Sequence, residues 1–270
     1  MKTRVKYALF MLPLLILLVA GGWPLLIGVV AISAVAMWEF YAVWDNAGVK
    51  INKISGFACL ALLYVIIIMD KFVGLKKGVP ASQELLMIWV GLAVFIGFAR
   101  TLFGKDHDVT AGVITSVGVL YPGFGLAHFV MISKVPGFGH FTWLVVLAAF
   151  GTDIAAYFIG STFGKTKLCP DLSPKKTVEG ALGGLLASVI LCFVFGLFFG
   201  KGNVLGCLFI GLFGSVAAQM GDIAASVFKR KLGIKDYSKL IPGHGGVMDR
   251  VDSLIFTAPF VYYFMILFIK

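Results

Sequence analysis

GDIAASVFKRKLGIKDYSKLIPGHGGVMDRVD, running from Gly221 to Asp252, is the most polar stretch of a very apolar chain. Long apolar runs stand on both sides, so it reads as a polar island between membrane-crossing helices. It holds four of the 13 acids, Asp222, Asp236, Asp249 and Asp252, together with Lys229, Arg230, Lys231, Lys235, Lys239, Arg250 and His244. A helix over its first part puts Asp222, Ser226 and Lys229 or Arg230 on one face, and a helix at its end does the same for Asp249 and Asp252. Acids with a basic rim suit a hard divalent cation carrying a polyphosphate. Mg2+ takes only one or two carboxylates and fills its remaining positions with phosphate oxygens and water. Between the two faces lies Pro242-Gly243-His244-Gly245-Gly246, whose glycines let backbone N–H groups close on an anion. The plainer reading is a solvated, positively charged cytoplasmic loop with a Pro-Gly turn; the density and spacing of the acids argue against it.

Working outward, the composition fixes the class. Of 270 residues, 60% are hydrophobic and 13% charged, with a mean hydropathy of +0.98. A soluble domain is about 45–50% apolar and about 25% charged, so the chain reads as an all-α, polytopic integral membrane protein. The net charge of +10 is what cytoplasmic loops of such proteins carry, and nucleic acid is not the expected partner. Cys59, Cys169, Cys192 and Cys207 have no CxxC spacing and give neither a disulfide framework nor a zinc site. Apolar runs fall at roughly 7–21, 23–43, 54–73, 84–103, 110–132, 141–163, 180–199, 203–225 and 253–269, nine spans of about the 20 residues a bilayer needs. The basic start, with Lys2, Arg4 and Lys6, resembles a secretory signal, but the run leads through Gly21-Gly22 into another, which favours an uncleaved hairpin of two spans. Pro122-Gly123 interrupts the fifth run.

Orientation follows from the cations. With the N-terminus inside, cytoplasmic segments hold 17 of the 23 Lys and Arg residues, which favours an inside N-terminus and an outside C-terminus. The large polar loops, 165–179 and 226–252, then face the cytoplasm, and so does the expected active site. We divide the chain into N-terminal spans, 1–135, forming a lipid-facing body, and a C-terminal catalytic region, 136–270. Gly160-x-x-x-Gly164 and Gly196-x-x-x-Gly200 let helices approach closely. Packing within one chain is the ordinary reading, and a homodimer face the other.

Two further constellations stand out. Asp153 lies inside the sixth run, where a carboxylate costs about 2.5–3.5 kcal/mol and needs a partner. Asp153, Tyr157, Gly160 and Gly164 share a helical stripe, which reads either as an interhelical hydrogen bond or as the wall of a polar site. Ser173-Pro174-Lys175-Lys176-Thr177-Val178-Glu179-Gly180 looks like a helix start, with Ser173 as cap and Pro174 as first helical residue. Its N–H groups and lysines suit an anion, though a positive flank of a capped helix is the plainer account. Glu39, between Trp38 and Phe40, reads as an interfacial anchor and is left outside the site. His107, His128 and His140 are scattered and read as structural or interfacial.

Ser226-x-Phe228-Lys229-Arg230, then Lys235-Asp236-x-Ser238, then Ile241-Pro242-x-His244-Gly245-Gly246-Val247-x-Asp249-Arg250-Val251-Asp252 resembles the signature of the CDP-diacylglycerol synthases, or phosphatidate cytidylyltransferases. Every fixed position is filled. The likeness is tight over 222–252, good over 153–180 and weak in the first five spans. It implies transfer of the cytidylyl group of CTP to phosphatidate, with release of pyrophosphate, in a bacterial cytoplasmic (inner) membrane. It implies Mg2+ on Asp222, Asp249 and Asp252, with room for a second cation. Asp249, Asp222, His244 and Arg250 would be catalytic, and Ser173, Lys175, Lys176, Ser226, Lys229, Arg230, Gly245, Gly246, Asp153 and Tyr157 would bind substrate and phosphate. The lipid tails would stay in the membrane. The same broad pattern extends to CDP-archaeol synthases and, more distantly, polyprenol kinases. An ion-coupled transporter would instead place ions and broken helices at the midplane, often in repeats; here the polar residues gather at one face.

Overall fold

The computed structural model describes residues 15–69, 81–103, 107–241 and 245–269. The helices are α1 (Gly22–Asn46), α2 (Lys53–Met69), α3 (Ala81–Phe103), α4 (Val109–Gly118), α5 (Gly125–Ser133), α6 (Thr142–Phe163), α7 (Val178–Phe199), α8 (Val204–Lys231) and α9 (Met248–Phe268). Residues 15–20, before Gly21, are helical as well. Between α6 and α7 the strands β1 (Lys167–Cys169) and β2 (Ser173–Thr177) pair antiparallel. The protein is thus an all-α membrane protein with one small hairpin. Among the described residues six helical stretches are long and apolar enough to cross a bilayer: Gly22–Asn46, Val109–Ser133, Gly139–Phe163, Val178–Phe199, Val204–Lys231 and Met248–Phe268. Lys53–Met69 and Leu85–Ala99 are shorter apolar helices, and the expected run 7–21 lies largely outside the described residues.

The chain forms two units. The first comprises the described parts of Met1–Gly22, Met131–Asp236 and Asp249–Lys270. Its centre is α6, α7 and α8, each packed on the other two. Helix α7 turns small residues inward at every fourth position: Gly180, Gly184, Ser188, Cys192 and Gly196 are buried. Its large side chains point the other way, with Leu182, Leu186, Ile190, Leu197 and Phe198 exposed. That is the reverse of a soluble helix and suits a lipid surround, where association relies on close backbone approach rather than on apolar burial. A Cβ on Gly184 would stand 2.7 Å from the Thr152 carbonyl oxygen, and one on Gly180 2.7 Å from that of Ala156. Buried hydroxyls finish the contacts: Ser188 donates to the Gly211 carbonyl at 2.8 Å, and Thr152 to Ser215 Oγ at 2.7 Å. Gly160 and Gly196 serve such packing inside one chain, against Gly180 and Cys207.

The start of α7 corrects the reading of the Ser173 run. Ser173 to Thr177 is a strand, not the first turn of a helix, and Thr177 is the cap. Its Oγ1 accepts from Gly180 N at 3.2 Å, and Glu179 in the first turn complements the helix dipole. Glu179 also accepts from the Lys165 and Thr166 N–H groups at 3.1 Å, which ties α7 to the incoming strand. A Thr and a Ser both make good caps, so local sequence could not choose between them.

The second unit is the described part of Trp23–Val130 with Tyr237–Met248. Tyr41 forms its core: the hydroxyl donates to the Thr115 carbonyl at 2.6 Å, and its ring fills space left by Gly56 and Gly118. Asp108 caps α4 by accepting from Thr110 N and Ala111 N. The helix that begins there runs through Pro122 without a break. Residues Val119–Phe124 form a π-helical stretch, whose wider turn absorbs the missing N–H before α5.

Candidate active site

In the first unit, α6, α8, α9 and β2 bring their charged residues together. Asp153, on α6, accepts a hydrogen bond from Ser253 Oγ on α9 at 3.0 Å. Asp222, on α8, pairs with Lys176 of β2 at 2.6 Å. Asp249, at the start of α9, pairs with Lys229 near the end of α8 at 2.8 Å; the side chain of Asp249 is only 4% exposed and that of Lys229 13%. Asp252 lies one turn further along α9. It is buried, within electrostatic range of Asp222, Asp153 and Lys229, and its carboxylate accepts from the Ser253 N–H at 2.8 Å. Gly221 makes this approach of α8 to α9 possible, since a Cβ there would overlap the Asp252 carbonyl. Ser226 is buried one turn beyond Asp222 on the same helix.

A cavity of about 490 Å3 opens beside this cluster. Its polar wall carries Asp153, Asp222, Lys175, Lys176, Gln219 and Lys167, and Tyr157 stands at its side, 59% exposed. The sequence reading missed Gln219 and Lys167. Gln219 sits three residues before Asp222, hence on the same helical face, and donates to the Ala181 carbonyl at 3.3 Å. That spacing was available in the sequence, but an isolated Gln in a membrane helix gave no reason to use it. Lys167 is one of the cytoplasmic cations that set the orientation, and nothing else in its surroundings marks it.

Other expected residues are placed differently. Ser173 is half-buried in β2. Arg230 donates from Nε to the Leu172 carbonyl at 3.1 Å and from a terminal nitrogen to that of Ile234 at 3.4 Å, so it ties the hairpin to the end of α8. Arg250 is half-buried on α9 beside Asp249. His244 lies outside the described residues. Gly245 and Gly246 belong to the second unit. Gly245 adopts φ +80, a conformation that favours glycine, and its carbonyl accepts from Ile241 N at 3.0 Å, closing the neck of the loop.

The second unit also corrects the reading of Glu39. It is fully buried, not interfacial. Its Oε1 accepts from Ser238 Oγ at 2.6 Å and Val247 N at 3.0 Å, and its Oε2 from Met248 N at 2.7 Å. The backbone just beyond the Pro242–Gly246 run, expected to serve an anion, is thus held by the chain's own carboxylate. Nothing in the sequence near Glu39 points to partners about 200 residues away.

The donor set can be tested against a divalent cation. Asp153, Asp222, Asp249 and Asp252 supply four carboxylates, two of them paired with the ammonium groups of Lys176 and Lys229. All the donors are hard oxygens, the kind a Mg2+ ion takes. Among the described residues no three acidic, His or Cys side chains are already spaced as a cage. An ion that draws part of its shell from phosphate and water needs none.

The sequence profile described as the cytidylyltransferase family matches residues 2–268. The chain belongs to the cytidylyltransferase family. It is 31% identical over 257 residues to the phosphatidate cytidylyltransferase of Bacillus subtilis, covering 94% of this chain and 93% of that one. It is 37% identical over 200 residues to the enzyme of the same name from Helicobacter pylori, covering 73% and 69%. The Staphylococcus haemolyticus phosphatidate cytidylyltransferase is 31% identical over 261 residues, covering 95% and 94%. For a cytidylyltransferase, lysines paired to acids beside an open cavity form a chemically sensible site. They can exchange a carboxylate for a phosphate without being carried into the membrane unpaired.

Proposed function

We propose that this protein transfers the cytidylyl group of CTP to phosphatidate, giving CDP-diacylglycerol and pyrophosphate. The observation that carries the site assignment is the cluster of Asp153, Asp222, Asp249 and Asp252 with Lys176, Lys229 and Ser253, of which Asp153, Asp222 and Lys176 line a cavity and Asp249 and Asp252 lie behind it. In the reaction a phosphate oxygen of the lipid forms a bond to the α-phosphorus of CTP. The bond from that phosphorus to the bridging oxygen breaks, and pyrophosphate leaves with its electron pair. The nucleophile is already an anion, so alignment and charge neutralisation are the main requirements. Lys175, Lys176 and Lys167 line the cavity and are suited to receive phosphate oxygens. Tyr157 and Phe158 are exposed on α6, an apolar side along which acyl chains can remain in lipid. Asp222, Asp249 and Asp252 would hold Mg2+, which when bound supplies positive charge to the phosphates of CTP and to the departing pyrophosphate.

The apolar runs support nine spans, the family resemblance a bacterial cytoplasmic membrane, and the distribution of Lys and Arg an inside N-terminus, an outside C-terminus and a site open to the cytoplasm, where CTP is available. The test is an end-point assay of the purified full chain in detergent with labelled CTP, phosphatidate and Mg2+. Label in the lipid phase with stoichiometric pyrophosphate is the expected result. Product only with an archaeal or polyprenyl lipid would keep the chemistry and replace the acceptor; no product with any lipid would overturn the reading.

A further inference from the structure

We infer that Glu39 is a positioning residue of the active site: its buried carboxylate caps helix α9 from outside and ties Ser238 to the start of that helix. Three observations converge. Helix α9 starts at Met248, and the N–H groups of Val247 and Met248, orphans of its first turn, both donate to Glu39. The other side of the loop is tied to the same carboxylate, because Ser238 Oγ donates to Glu39 Oε1 and accepts from Leu240 N at 3.0 Å. Gly246 completes the seat: a Cβ there would overlap the Glu39 carboxylate, while its φ lies outside the left-handed region. Phe40 adds an aromatic contact to Tyr237 at 6.3 Å, so neighbouring residues of α1 hold both ends of the segment 237–248.

A negative charge at a helix N-terminus is favourable, and ordinarily a side chain just before the helix supplies it. Here position 247 is a valine, which has no side-chain acceptor. Glu39 takes the role from another helix. The consequence is positional, because the next residue after Met248 is Asp249, and Asp252 follows one turn later on the same rigid element. Fixing the N–H groups of Val247 and Met248 fixes where those two carboxylates begin their turn. Glu39 itself does not touch a reacting group. The inference rests on the proposed role of Asp249 and Asp252.

The experiment uses the full chain in detergent, carrying Glu39→Gln, Glu39→Asp, Gly246→Ala and the pair Glu39→Asp with Gly246→Ala, with Asp249→Asn as reference. Hydrogen exchange at the Val247 and Met248 amides reads the clamp directly. CTP turnover over a range of Mg2+ concentrations, per folded molecule, reads its effect on the acids. Glu39→Gln keeps shape but loses charge and turns an N–H2 group toward backbone donors. We expect amide exchange to quicken and kcat to fall, each about tenfold or more, with a higher Mg2+ requirement. Glu39→Asp withdraws the carboxylate by one methylene, so Gly246→Ala should be at least about threefold less damaging in that background than alone.

Unchanged amide exchange in Glu39→Gln would overturn the clamp. Faster exchange with wild-type turnover and Mg2+ dependence would overturn its positioning role and leave a merely structural staple. Strictly multiplicative effects of Gly246→Ala and Glu39→Asp would also count against it. If Asp249→Asn stays active, the proposed acid site fails instead, while the exchange data still judge the clamp.

Discussion

At the scale of single residues, the site is a set of paired charges in a setting where unpaired ones are costly. Asp249 is nearly inaccessible and faces Lys229. Replacing it with Asn keeps the shape and removes the charge. CTP turnover should fall about 10²–10³-fold, the usual loss when one preorganised electrostatic group is removed, while stability drops by about 1–3 kcal/mol as Lys229 loses its charged partner. Thermal denaturation of the same preparation separates the two effects. Asp153, Asp222, Asp249 and Asp252 were all legible in the sequence, because a carboxylate in or beside an apolar run demands an explanation wherever it falls. What was not legible is who holds whom. Lys176 meets Asp222 across 46 residues of chain, and Arg230 turned out to serve two carbonyls. Glu39 was visible as a letter and misjudged as a role, since its partners depend on how distant segments meet.

Elements tell a similar story. The apolar runs marked out the helices well, because hydropathy over about 20 residues is a strong signal. Their details turned on effects with no such signature. The strand at Ser173–Thr177 shares its letters with a capped helix start, and the continuity of the helix through Pro122 depends on a π turn that sequence does not announce. Two substitutions test how the elements are joined. Gly221→Ala forces a Cβ against the Asp252 carbonyl. It should cost about 1–3 kcal/mol and reduce activity more than its stability loss explains, because it pushes Asp222 and Asp252 apart. On α7, Gly184→Leu should destabilise the detergent-solubilised protein by about 1–3 kcal/mol or more. Leu186→Ala, on the lipid side, should stay within about 0.5 kcal/mol. Paired melting curves check the contrast.

For the molecule as a whole, chelation is the first test. Removing divalent cations with EDTA should abolish product formation, and Mg2+ should restore it; full activity in the chelator would sink the metal assignment. Topology can be read without engineering. Cys59, Cys192 and Cys207 are buried, and Cys169, in the hairpin between α6 and α7, is half-buried. A membrane-impermeant thiol reagent should therefore label Cys169 in inverted vesicles and not in intact cells, as an inside N-terminus requires. The inward stripe of Gly180, Gly184, Ser188, Cys192 and Gly196 has a thermodynamic side as well. Pulling α7 from its neighbours within lipid or detergent moves backbone from protein to hydrocarbon and brings little apolar surface into water. The heat-capacity increment that curves the stability of soluble domains comes from such hydration. Separation of this bundle should show a small one, with a stability that changes almost linearly with temperature and no weakening toward the cold.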